Sequence, residues 1–148
     1  MGRQYSLLLQ LATERLDTAA RALNLTQTRL AQAKSKVQQL ETYLHEYRAR
    51  SITRGQQQSG ILGAQWMIYR QFIERLVGAI ALQQGDVQRC QQAVQAAHQV
   101  WLDMRRQLKA MEVLVEQEAR RVQLRAARLE QKQTDEWATQ AFYRREEE

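Results

Sequence analysis

The sequence predicts an all-α protein: a long antiparallel two-helix coiled coil, or helical hairpin, with a longer second helix. Three observations predict it. The chain has no Pro and only six Gly in 148 residues, and Gln, Ala, Leu, Arg and Glu dominate. That composition suits long helices and not sheets. Two separate rows of apolar residues step by sevens, which returns each side chain to one stripe of a helix. Between the two rows lies a single stretch rich in Gly, Ser and Gln.

The first helix is expected over about residues 4–50, with Ser6 as a candidate cap. Its row is Leu9, Leu16, Leu23, Leu30, Val37 and Leu44. Three residues on lie Ala12, Ala19, Thr26, Ala33, Leu40 and Tyr47. This second column is small up to Ala33 and large from Leu40. Small residues allow close approach or leave room for large partners, and Trp101 and Met104 are expected to fill it.

Residues 51–60 read as the connector. Gly55 and Gly60 permit positive φ, and Ser51, Thr53 and Ser59 compete with the helix through local hydrogen bonds.

The second helix is expected over about residues 62–143. Its row runs Ile73, Ile80, Val87, Val94, Trp101, Leu108, Val115, Val122 and Leu129, preceded by Trp66. The companions are Tyr69, Leu76, Gln83, Cys90, Ala97, Met104 and Met111, then Glu118 and Arg125. The seam is therefore two apolar columns wide only as far as Met111. Gly78 and Gly85 each cost about 1 kcal/mol relative to Ala and read as marks of close packing or a mild bend. Residues 144–148 form an acidic, disordered tail, and the whole chain reads as one coiled-coil domain.

The arms are unequal. With the turn centred near Gln56, facing residue numbers sum to about 112, so the first arm starts opposite Gln107. The rest of the second helix then overhangs by about 50 Å. It carries Arg120, Arg121, Arg125, Arg128 and Lys132 beside one apolar stripe, which calls for a partner.

The net charge of +6 favours anionic partners without choosing among them. One cysteine, Cys90, excludes an internal disulfide, and its seam position reads as a small buried thiol. No signal sequence or membrane-spanning run is seen, so the expected location is cytoplasmic. There is no phosphate loop, no nucleophile motif and no metal-ligand cluster, and His45 and His98 lie far apart in sequence. No enzyme activity, cofactor, metal or small-molecule substrate is expected. Nucleic-acid binding through the basic stretch is an alternative, disfavoured because acids are interspersed.

Near the connector, Tyr43, Tyr47, Trp66, Tyr69 and Phe72 cluster in a chain otherwise poor in aromatics. Tyr47, Trp66 and Tyr69 lie on the seam. Tyr43 and Phe72 flank it, near Arg48, Arg50 and Arg70, and form a candidate docking patch.

Glu46-Tyr-Arg48, the glycine-bearing connector, and Trp66-Met-Ile-Tyr-Arg-Gln-Phe-Ile73 followed by Leu76, Ala79 and Ile80 resemble the FliJ family of the flagellar type III export apparatus. Trp101, Gln107 to Ala110 and Gln131 to Glu136 extend the resemblance. It implies a non-enzymatic stalk, similar to that of rotary ATPases. Such a stalk associates with the hexameric export ATPase FliI, contacts the export gate FlhA and interacts with export chaperones. It also implies peripheral association with the inner-membrane apparatus at the flagellar base. The gate-binding face it implies comprises Leu40, Tyr43, Tyr47, Phe72, Leu76 and Ala79. Lys36 and Gln83 depart from the family pattern at its edge. The terminal regions are implied to enter the ATPase ring, with Arg120, Arg121, Arg125 and Arg128 as the candidate contacts. Injectisome stalk proteins share this design and are a further alternative.

Overall fold

The structure is a computed structural model that describes residues 2–57 and 63–147. It contains two α-helices, α1 (Gly2–Gln57) and α2 (Gly63–Glu147), which pack against each other, with no strand among the described residues. No helix among those residues is long and apolar enough to cross a membrane.

Helix α1 continues through Gln57, so residues 51–57 belong to a helix and not to the connector. Residues 58–62 lie outside the described residues. Within this extension Ser51 Oγ donates to the Tyr47 carbonyl at 2.9 Å, the bond to the fourth residue before it that a serine makes inside a helix. The hydroxyl that was expected to divert the backbone bonds back inside the helix instead. The other end also differs, because α2 runs to Glu147 and takes in residues 144–147 of the expected tail. Arg144 and Arg145 occupy its last turn, where cations complement the helix dipole.

Packing falls into two compact units: Asp17–Leu102, and Met1–Leu16 with Asp103–Glu148. In the first, ring contacts set direction and register. Tyr47 stacks on Tyr69 with centroids 5.4 Å apart, and Tyr43 meets Phe72 edge-on at 6.1 Å. Further along, Gln83 Nε2 donates to the Ala33 carbonyl at 3.3 Å. Numbers fall along α1 as they rise along α2, so the helices are antiparallel. These pairs sum to 115 or 116, about two residues later in centre than the expected turn. The longer α1 accounts for the shift.

The core of this unit is narrow. Its buried residues are Ala19 and Ala33 on α1 with Leu76 and Ile80 on α2. The small column thus lies deepest, as close helix approach requires. Thr26, half-buried in the same column, places its Oγ1 on the Leu23 carbonyl at 2.8 Å. Cys90 is half-buried. Ala33 is only 4% exposed, so Ala33→Leu should overpack the seam and cost about 1–3 kcal/mol, measured by urea unfolding.

Gly78 has nothing within 4 Å of where a Cβ would stand, and Gly85 only the Arg89 Nη1 at 3.8 Å. Neither glycine is demanded by close packing within the hairpin, contrary to that part of the expectation.

In the other unit Ala12 is buried, and Tyr5, Leu9 and Leu16 are half-buried on α1. On α2 the half-buried positions include Met104, Leu108, Met111, Val115 and Glu118. Shielding therefore extends one to two turns past Met111, because α1 is helical from Gly2 and supplies surface beyond its expected start. From Ala119 to Glu147 every residue is exposed.

Candidate functional site

Two surfaces carry the distinctive side chains, one in each unit.

The first is the aromatic group near the ends of the paired helices. Tyr47 is its hub, with Phe72 at 4.4 Å in addition to the Tyr69 stack. Trp66 leans on Tyr69 at 5.6 Å but remains 53% exposed, so it is less enclosed than a seam position suggests. Phe72, taken as a flanking residue, is the better packed of the two. Tyr43 is 49% exposed and presents its ring edge beside Phe72.

The six residues implied for the gate-binding face are differently placed. Leu76 is buried and the register sets it opposite Leu40, so this pair supports the face from beneath. Tyr47 and Ala79 are half-buried, and Tyr43 and Phe72 supply the accessible ring surface. At 100° per residue, Phe72 and Ala79 share an arc of α2 about 40° wide with Ile68. Ile68 is well exposed and extends the apolar patch. Its spacing of four from Phe72 and eleven from Ala79 is the signal that reveals it.

Arg70 does not border this arc. It lies on the opposite side of α2, within 3.7 Å of Glu74. Gln83 turns its amide to the Ala33 carbonyl, so at this departure from the family pattern the side chain ties the two helices together.

The second surface is α2 beyond Glu118. Val122, Ala126 and Leu129 continue the stripe of Val115, and Trp137 follows at 78% exposure. Helical geometry places Arg121, Arg125, Arg128 and Lys132 within an arc of about 60° along one edge of that stripe. Glu116 and Glu130 border the other edge, and Glu136 lies near the stripe itself. Arg120 does not join the basic edge. It stands about 110° away, with its Nη2 donating to Glu116 Oε1 at 2.8 Å. The four candidate arginines thus divide into three and one. Further on, Phe142 and Tyr143 meet edge-on at 6.3 Å, both exposed.

Among the described residues no group of His, Cys, Asp and Glu is arranged to hold a metal ion. No buried side-chain polar atom among them lacks a partner. His98 lies against Trp101, one turn along α2, at 6.0 Å.

These features define a class: an all-α helical hairpin whose distinctive groups stand on outer helix faces, suited to contact with other macromolecules. Comparison with known sequences supplies the family. The family described as Flagellar FliJ protein matches residues 1–147. The chain is 31% identical over 140 residues to the flagellar FliJ protein of Escherichia coli (strain K12), covering 95% of this chain and 94% of that one. Identity and coverage are the same against the flagellar FliJ protein of Salmonella typhi. The chain belongs to the FliJ family.

Proposed function

We propose that this chain is a non-enzymatic component of flagellar protein export, a stalk that joins the export ATPase FliI to the export gate FlhA and interacts with export chaperones. It acts in the cytoplasm, held peripherally at the flagellar base. The observation that carries the gate contact is the half-exposed Tyr43–Phe72 pair, mounted on the packed Leu40, Tyr47 and Leu76. An accessible aromatic group on a rigid base is the usual composition of a binding hot spot. Ala79 completes the face. The unpartnered stripe and basic edge after Glu118 support the ATPase contact. Membership of a flagellar family weighs against the injectisome alternative. Nucleic-acid binding gains no support from a basic edge that faces acids across the same stripe.

Tyr43→Ala is the cleaner test, because Phe72 also packs on Tyr47 at 4.4 Å. Binding to the purified gate protein should weaken by about tenfold or more, with helicity by circular dichroism unchanged. Unaltered binding, or loss of helicity, would defeat the assignment of this face.

A further inference from the structure

We infer that the stripe of α2 beyond Glu118 is an interface between two copies of this chain, laid antiparallel so that each overhang covers the other. Val122, Ala126, Leu129, Gln133, Trp137 and Gln140 lie within an arc of about 80° on this stretch, and all are exposed. An apolar stripe of this kind on one helix is stable when a second helix covers it.

The order of charges beside the stripe identifies the occupant. The edge that holds Arg121, Arg125, Arg128 and Lys132 continues into Asp135 and Glu146, all within an arc of about 80°. It is basic in its first half and acidic in its second. In an antiparallel pair of helices, equivalent edges face each other. The basic half of one copy then meets the acidic half of the other, at both ends of the overlap. A patch that complements itself in this way closes into a two-fold dimer.

The end of α1 sets the register. Helix α1 begins at Gly2, and the shielding of α2 ceases after Glu118. A copy whose Glu147 reaches Ala119 fills the open length of about 43 Å, so facing numbers sum to about 266. Arg121 then faces Glu146 of the second copy, and Lys132 faces its Asp135. Across the stripe Leu129 meets Trp137, and the small Ala126 leaves room for Gln140. Gln133 meets its own equivalent on the two-fold axis, where a polar pair fixes register. A parallel copy does not fit, because its α2 would run back over the stripe that α1 already covers. The basic edge also carries the ATPase contact proposed above, so the two contacts exclude each other. Self-pairing belongs to the chain free of the ATPase.

The test uses the full chain alone, so its outcome does not depend on the ATPase contact. In sedimentation equilibrium at low salt, the average mass should rise with concentration toward twice the monomer mass. Arg121→Glu with Lys132→Glu in one variant, and Asp135→Lys with Glu146→Lys in another, should each weaken pairing by at least about tenfold. An equimolar mixture of the two variants should restore it, because every facing pair is again of opposite charge. In a Cys90→Ser background, Gln133→Cys should form a disulfide-linked dimer on oxidation. Ala126→Cys should not, since its equivalent would lie about 21 Å away along the helix. A chain that stays monomeric up to about 100 μM would overturn the inference. So would charge variants that pair as well as the unaltered chain, a mixture that restores nothing, or cross-linking at Ala126 equal to that at Gln133.

Discussion

Leu76→Ala is expected to destabilise the hairpin by about 2–3 kcal/mol, seen as a lower urea midpoint. Leu76 is 8% exposed, as is Ile80 one turn on. Truncation removes buried methyl groups and leaves a gap that the surroundings fill only in part. A two-helix seam is thin and its neighbours relax more easily than those of a globular core. The cost therefore falls toward the lower end of the range for buried leucines. Leu124→Ala is the control. Its side chain is mostly exposed on α2, and its loss should cost less than about 0.5 kcal/mol. A Leu76→Ala effect as small as the control's would mean that the aromatic end is not held by seam packing. Gate binding by this variant has to be read beside its stability, because Leu76 would act on the face from below.

The second large effect is expected at the basic edge. Reversing Arg121, Arg125 and Arg128 to Glu should weaken association with the export ATPase by about a hundredfold or more. Urea stability of the hairpin should stay nearly unchanged, since all three are exposed beyond the paired stretch. Arg120→Glu is the discriminating comparison. Arg120 points elsewhere and its guanidinium is engaged by Glu116 at 2.8 Å. Its reversal should change association less than about threefold. Affinity of the unaltered chain should fall with added salt, as expected of exposed charges. Equal effects from Arg120 and the triple variant would show that total charge matters and the edge does not. Retained association in both would remove the ATPase contact from this helix.

The two outcomes rest on parts of the chain that were unequally legible in the sequence. The antiparallel hairpin was legible because coiled-coil pairing is written in a local repeat. Each heptad carries its own apolar pair, and Ala12, Ala19 and Ala33 could be picked out as the close-approach column from size alone. All three are buried. The unequal arms followed from counting, and the change of seam composition after Met111 pointed the same way.

Boundaries and register were less legible. The connector seemed to begin at Ser51, yet a hydroxyl can divert a helix or bond within it, and the choice depends on surrounding support. At Ser51 the hydroxyl bonds to the Tyr47 carbonyl inside a helix that runs on to Gln57, and the pairing centre lies about two residues later than expected. The candidate sites were legible as residue types and not as surfaces. Leu76 and Tyr43 seemed equivalent members of one face, but one is buried beneath it and the other half-exposed on it. Arg120 and Arg121 are adjacent in sequence, and the 100° step between them puts one in an ion pair and the other on the basic edge.

By itself, then, the sequence determined the helices, their antiparallel pairing, the stripe left without an internal partner and the resemblance to the FliJ family. These follow from periodicity and short-range pattern, which are properties of the chain before it packs. Tertiary structure decided where α1 stops, which of the aromatic residues stay accessible, and that a methyl group at Gly78 would meet open space and at Gly85 only the Arg89 side chain. Those depend on which atoms another helix brings near, and that is known only once the register is set.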